Sequence, residues 1–516
     1  MIGSKQPVWP LIILYLISGL LLTPSAASSE TVSASEDSAA RYLDSIRLNP
    51  QLLLAFLQGF PKGGDLHNHL PGAIYAESFI DFAASDGFCV DRTTSVLIAP
   101  PCDRGCGKFT SKPVVSCAYQ DPVLYNSIID AWSMRNWNRE ESAHDHFFAT
   151  FDKFLPAIFN HIGDSLAEAA SRAAADHLQY LELMHTADGM QAAQLGAKLG
   201  WDDDFGKQRD KLLAGGLKDV TAATRKQLDR DEGKMHAVLK CGTPPANPGC
   251  DVTVRFLYQV LRGLPREQVF AQILLGFELA QADSRFVGLN LVMPEDWYVP
   301  MHDFELHMQM LDYLHRLYPK VHISLHADEL TMGLVPPEGL RFHIRDSIER
   351  GHAERIGHGV AVMNEHDPLG LMREMSQRNV LVEICLTSND MILGVRGAEH
   401  PLPIYMREGV PVALATDDEG VARSDMTHEY LRAVGNYDFS YVTLKRMARQ
   451  SLEHSFLPGA SLWEETQEFR RVPACAADEP GTEKLSKGCR GFLNASERAQ
   501  VQWQLEGEFV KFEQKF

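Results

Sequence analysis

From residue 61 onward the chain repeats one pattern. A short apolar run, often β-branched, gives way to a polar turn and then to a longer stretch in which apolar residues recur at helical spacing. Such runs read as buried strands and the longer stretches as helices, the alternation of an α/β domain with a parallel sheet. Eight runs qualify. They are "GDLHNH" (64–69), "LQYLELM" (178–184), "DVTVRFLYQV" (251–260), "RFVGLNLV" (285–292), "KVHISLHA" (320–327), "AERIGHG" (353–359), "NVLVEICLTS" (379–388) and "VPVALATDD" (410–418). Eight parallel strands separated by helices predict a (β/α)8 barrel, here spanning residues 61–460.

Polar residues interrupt the pattern at telling places. Run after run ends in a chemically capable side chain: His67 and His69, Glu182, His326, His358, Ser388 with Asn389, Asp417 with Asp418. A barrel gathers the C-terminal ends of its strands into one mouth, so these residues are expected to converge. Two stretches, 88–145 and 230–250, are too long for plain connections and read as insertions, each carrying cysteines.

Outside the barrel the pattern changes. Lys5, the apolar run "LIILYLISGLLL" and the small residues of "TPSAASS" have the layout of a secretory signal over residues 1–27, with an uncleaved anchor as the alternative. Residues 28–40 are small and polar and read as a linker; "RYLDSIRLNPQLLLAFLQGF" then forms a helical extension up to residue 60. Residues 461–516 read as a C-terminal extension packed outside the barrel. The mature body is expected in an extracytoplasmic space, with no stable membrane span once the signal is cleaved.

Composition narrows the partners. The 516 residues are 45% hydrophobic, enough for a large core, and 49 Lys+Arg against 68 Asp+Glu leave a formal charge of -19. That balance repels phosphate backbones and speaks against nucleic acid. Eight of the nine cysteines fall in clusters, Cys89/Cys102/Cys106/Cys117, Cys241/Cys250 and Cys475/Cys489, and can pair within them in an oxidising compartment. Cys385, in an apolar strand, reads as a buried free thiol. The C-x3-C spacing of Cys102 and Cys106 lacks the second pair a zinc ribbon needs.

The strand-end residues suggest a metal centre. Residues i and i+2 of a strand point the same way, so His67 and His69 can bind one ion; His326 adds a third imidazole and Asp417 a carboxylate. Three nitrogens and one oxygen suit one Zn(II) per chain, with room for a water whose pKa the ion lowers toward ~7. Glu329, three residues past His326 in "HADEL", can hold a proton-transferring carboxyl beside the ion, and His358, between glycines in "IGHGV", can reach the water. Asp418 can face substrate. Taken singly, each has a plainer explanation: a solvated or packed histidine, a helix N-terminal acid, an N-cap pair. Together, at the ends of barrel strands, they make a site.

These residues sit in "LHNHLPG", "FFATFDKFLPAI", "YLELMHT", "ISLHADEL", "RIGHGVAV", "VEICLTSND" and "HPLPIYMREGVPVALATDDEG", an ordered set that resembles the adenosine deaminase branch of the metal-dependent amidohydrolases. The signal, the Met-Pro-Glu after the fourth strand and the cysteine-bearing insertions make the chain more similar to secreted members, the adenosine deaminase-related growth factors. The resemblance implies zinc on His67, His69, His326 and Asp417, with Glu329 protonating purine N1. It also implies His358 holding and deprotonating the attacking water, which Asp417 also orients, Asp418 hydrogen-bonded to the purine at N7, and Phe147 and Phe151 lining the base pocket. The implied reaction is adenosine + H2O giving inosine + NH3, with 2'-deoxyadenosine as a further substrate.

Three positions depart from the family's pattern: Pro71 where an Asp contacts the ribose, Met293 and Pro294 where a Gly meets the purine, and Met184 where the second strand carries Arg. All touch sugar or base recognition. Other aminopurines and 5'-modified adenosines remain open, as does a secreted nucleoside-binding protein built on an inactive barrel. A two-metal amidohydrolase would need a bridging Lys in the fourth strand, and "RFVGLNLV" has none. Asn494, in "NAS", fits a glycosylation acceptor.

Overall fold

The computed structural model describes residues 1, 3, 34–138, 140–482 and 484–516. Nearly all of the candidate signal lies outside them. Among the described residues no helix is long and apolar enough to cross a membrane.

Eight parallel strands follow one another around a barrel: β1 (Gly63–His69), β2 (Leu178–His185), β3 (Thr253–Leu261), β4 (Phe286–Val292), β5 (His322–Ala327), β6 (Arg355–His358), β7 (Leu381–Ile384) and β8 (Val412–Leu414). Each overlaps one of the runs read from the sequence. The barrel closes at its mouth by a parallel bridge between Asn68 and Asp417: the His69 amide donates to the Asp417 carbonyl (3.1 Å), and the Asp417 amide donates to the His67 carbonyl (2.9 Å). Closure therefore runs through the residues expected to bind metal. Helices wrap the barrel, and the one after β3, Arg266–Ala282, is buried along most of its length, consistent with its run "VFAQILLGF".

Two expectations are revised. Residues 34–40, read as linker, are already helical: the helix Ala34–Ile46 has Glu36 and Asp37 in its first turn, buries Ala39, and pairs Glu36 with Lys445 at 2.8 Å. Favourable charges at a helix N-terminus and a tertiary ion pair override the small polar composition. Residues 230–250 are not a separate excursion. They complete the 22-residue helix Lys218–Leu239, whose end is tied by a disulfide between Cys241 and Cys250.

The segment after β1 carries its own apolar core, with Phe79, Ile80, Trp132, Phe147 and Phe154, beside the barrel mouth. Disulfides Cys89–Cys102 and Cys106–Cys117 cross-link it. At the other end of the chain a small core of Trp463, Phe469 and Trp503 surrounds Cys475–Cys489. Cys385 is the remaining thiol and is buried. The last helix, Glu497–Glu513, returns to the start of the barrel, where Phe509 and Phe512 pack edge-on or tilted against Phe60 at 5.5 and 5.8 Å between ring centres.

Candidate active site

His67 and His69 end β1, His326 lies in β5, and Asp417 follows β8 with a positive φ of 61°. The left-handed backbone at Asp417, unusual for a side-chain-bearing residue, turns the chain at the mouth. His67 Nε2 stands 3.1 Å from His326 Nε2 and 3.5 Å from Asp417 Oδ1, while His69 Nε2 stands 3.3 Å from His326 Nε2 and 3.2 Å from Asp417 Oδ1. A tetrahedral ion with bonds of about 2.0–2.1 Å separates its ligand atoms by about 3.3 Å.

The other ring nitrogens explain why the Nε2 atoms converge. His67 Nδ1 lies 2.6 Å from Glu383 Oε2, His69 Nδ1 lies 2.9 Å from Gln259 Oε1, and His326 Nδ1 lies 2.8 Å from Asn290 Oδ1. Each partner is an acceptor, so each ring carries its proton on Nδ1 and presents a bare Nε2 lone pair. Three lone pairs and a carboxylate at these distances call for a shared cation. The surroundings of His67 favour positive charge here: burial opposes it, but hydrogen bonds to Asp417 and Glu383 outweigh burial and push the ring up to about 10, a charge that a cation on Nε2 would supply in place of the proton. The residues present therefore fit a metal ion bound through three imidazoles and Asp417, whose second oxygen accepts from Ser388 Oγ at 2.6 Å.

Around this cluster Glu329 Oε1, His358 Nε2 and Asp418 Oδ1 are buried without a hydrogen-bond partner, Glu329 Oε1 lying 3.6 Å from His358 Nδ1. Burial, reinforced by Asp417 and Glu295, holds the Glu329 carboxyl well above the usual range. Its backbone is fixed by Glu295, which accepts the amides of Asp328 and Glu329 at 3.0 and 3.1 Å. Burial also pushes Asp418 up, with Asp417 adding to it, to about 7. Asp418 is seated against Gly72, where a Cβ would come within 1.6 Å of its carboxyl, so only glycine fits there.

His358 is set by a directional chain. The Leu402 amide donates to His400 Nδ1 (3.1 Å), His400 Nε2 donates to Asn389 Oδ1 (3.0 Å), and Asn389 Nδ2 donates to His358 Nδ1 (3.1 Å). The neutral His358 ring therefore carries its proton on Nε2, and burial keeps it neutral, lowered to about 3. Gly357 lets β6 approach: a Cβ there would meet His67 Cε1 at 2.5 Å.

A cavity of about 1020 Å³ opens from these groups. Phe147 and Phe151, on the helix Ala143–Phe154, line it, as do Pro71, Met293 and Pro294. Met293 has a φ of 117°, a conformation suited to glycine, and lays its side chain beside Gly263. Seven carboxyl side chains line the cavity against one guanidinium, Arg230.

Glu182 does not join the mouth. β2 runs on to His185, which lines the cavity, and Glu182, three residues earlier, pairs with Arg355 inside the barrel. The residues that sequence reasoning missed are Glu383, Gln259, Asn290, Glu295 and His400. Glu383 carries the strongest signal, an acid in the middle of the apolar run "VLVEICL" that has to be paired if buried.

The curated relatives include adenosine deaminases of Clostridium perfringens, 30% identical over 26% of this chain and 37% of that one, and of Escherichia coli, 31% identical over 37% and 48%. The chain thus spans less than half of the length of these two relatives. Among solved structures, an Arabidopsis N6-mAMP deaminase covers 78% of this chain and 96% of its own at 18% identity and a TM-score of 0.50. A Burkhoderia ambifaria amidohydrolase with bound Zn covers 79% and 88% at 14% identity and a TM-score of 0.50. At such identities these two likenesses speak for the barrel alone. Residues 137–463, more than half of the chain, match the Adenosine deaminase family model, and the protein belongs to the adenosine deaminase family.

Proposed function

We propose that the protein is a zinc-dependent deaminase of adenosine and 2'-deoxyadenosine, releasing inosine or deoxyinosine and ammonia. The observation that carries the reading is the set of three buried atoms without a hydrogen-bond partner, on Glu329, His358 and Asp418, beside four converging metal-ligand atoms. An aminopurine and the attacking water together offer a match for each.

When bound, the zinc ion lowers the pKa of water toward ~7 and so supplies hydroxide near neutrality. Glu329, kept protonated by burial, donates to purine N1 and makes C6 electrophilic. His358 faces the attacking oxygen through Nε2; because Nδ1 accepts from Asn389, the ring first orients that oxygen as a donor, and the part of initial base expected from the sequence is disfavoured. Asp418, its carboxyl raised to about 7 by burial and by Asp417, can keep the proton that purine N7, a bare ring nitrogen, needs from a donor, and Phe147 and Phe151 offer an apolar wall for the base. Hydroxide adds at C6 as N1 takes the Glu329 proton; the proton of the new C6 hydroxyl then passes, by way of the neighbouring His358, to the amino nitrogen, so that the C6–N bond breaks with ammonia leaving, the C6 carbonyl forms and N1 keeps its proton.

The lining favours nucleosides over nucleotides: with Glu329 protonated and Asp417 on the ion, Asp145, Asp152, Asp188 and Asp231 still outnumber the one guanidinium, Arg230, that could meet a 5'-phosphate. A second reading, an adenosine with an additional uncharged substituent, is favoured by the volume: about 1020 Å³ lies at the top of the ~300–1,000 Å³ range of small-molecule sites. An ammonia-release panel decides. Adenosine and deoxyadenosine are expected to be deaminated and AMP poorly; activity on AMP above adenosine would overturn the nucleoside reading, and better activity on uncharged 5'-substituted adenosines would support the second. The disulfides, the oxidising chemistry they need and the candidate signal support a reading in which this activity lies outside the cytosol.

A further inference from the structure

The interior of the barrel below the metal cluster contains a fully buried ion ladder. Arg355, the first residue of β6, has a side chain only 1% exposed and touches neither the cavity nor a metal-ligand atom. Its Nε donates to Glu383 Oε1 at 2.6 Å and its Nη2 to Glu182 Oε2 at 2.5 Å. Glu383 uses its other oxygen on His67 Nδ1, and Oε1 also accepts from Ser324 Oγ at 3.0 Å. Glu182 is held in turn by Tyr180 Oη at 2.7 Å and by the Phe456 amide at 2.8 Å.

Arg355 is itself seated from outside the barrel. Its Nη1 donates to the His454 carbonyl at 2.9 Å, and its guanidinium lies 3.8 Å from the centre of the Phe456 ring. Both groups belong to the segment that follows the last barrel helix, Tyr441–Glu453. A continuous line of contacts thus runs from that segment through Arg355 and Glu383 to the ring nitrogen that decides which atom of His67 is free for metal.

We propose that Arg355 is a positioning residue for the metal centre: by gripping Glu383 Oε1 it aims Oε2 at His67 Nδ1, so metal retention depends on a residue that meets neither ion nor substrate. The inference rests on the metal site read above. A planar fork suits the task because it binds two carboxylates at once with fixed angles, which an ammonium does not. Without it, Glu383 loses the contact that fixes its plane, and His67 loses the acceptor that keeps its proton on Nδ1.

The test is Zn(II) affinity, measured on the purified full chain by competition with a chromogenic chelator, with circular dichroism confirming that each variant is folded. Loss of such an outer contact typically costs 10–100-fold in metal affinity, and about that loss is expected for Arg355→Lys, Arg355→Met and Glu383→Gln. Glu182→Gln, nearly isosteric, is expected to give a smaller loss in the same direction and carries the test with Arg355→Lys should Arg355→Met not fold. The double variant Arg355→Lys/Glu383→Gln should bind about as well as Glu383→Gln alone, because the two act through one bond. Folded Arg355→Lys and Glu182→Gln with unchanged Zn(II) affinity would overturn the inference while leaving the metal site standing, and additive losses would show that Arg355 does not act through Glu383. Failure of the unaltered chain to bind Zn(II), or binding that survives His326→Ala, would instead overturn the metal reading itself.

Discussion

At the scale of single residues, the site turns on protons whose positions are fixed by neighbours. Glu329 matters because it is an acid held neutral, and its amide carboxylate mimic cannot supply a proton. Glu329→Gln is expected to lower kcat/KM for adenosine by about 10²–10⁴-fold with zinc content unchanged; a variant of full activity would remove the proton-donor role. The sign of the pH dependence follows from the same group. Burial raises the Glu329 carboxyl, so the donating form survives above the ordinary carboxyl range and is lost as pH rises through its folded value. The alkaline limb of the kcat/KM profile is expected to report that loss. Gly357→Ala should act differently, since its new methyl would press on the His67 ring 2.5 Å away and reduce zinc content before it alters any later step.

At the scale of elements, strand ends deliver the chemistry and the turns that leave them deliver the precision. Asp417, His358 and Asp328 all take positive φ just where β8, β6 and β5 leave the barrel, and Met293 does so after β4. The helical turn Leu70–Ala73 after β1 brings Gly72 against Asp418, so Gly72→Ala should displace Asp418 and raise KM for adenosine more than it lowers kcat. An unchanged KM would separate Asp418 from base recognition.

This scale also shows why part of the site was legible in the sequence and part was not. His67, His69, His326, His358 and Asp417 announce themselves because imidazoles and carboxylates at the ends of apolar runs are costly unless they meet something. Glu383, Gln259, Asn290 and Arg355 lie inside strands, where one register step decides whether a side chain faces the barrel interior, and the sequence does not carry that register. Glu182 falls under the same limit: it reads as a strand-end acid, but the strand runs three residues further, to His185, and Glu182 faces the barrel interior. The pairing in the four-cysteine cluster was open because it depends on which loops meet in space.

At the scale of the whole molecule, the first and last described helices are built into the barrel. Lys445, on a barrel helix, bridges Glu36 of the N-terminal helix and Glu513 of the last helix at 2.8 and 2.7 Å, and Phe60 packs against Phe509 and Phe512. Deleting residues 497–516 is therefore expected to lower the melting temperature sharply. A deletion that melts with the full chain would mean that the extension is an independent appendage. Reduction of the disulfides should cost about 2–4 kcal/mol for each that closes a substantial loop, read as a lower midpoint in denaturant. It should leave zinc content in the folded state unchanged, because no disulfide sulfur is among the metal-ligand atoms.

The central claim is that four ligand atoms at the barrel mouth hold an ion that the deamination of adenosine requires. It is tested most directly by stripping the full-length protein with a chelator and following ammonia release from adenosine as Zn(II) is added back. The account predicts no release from stripped protein and recovery that saturates at one zinc per chain. Release that persists without metal, or recovery that requires two ions per chain, would contradict it.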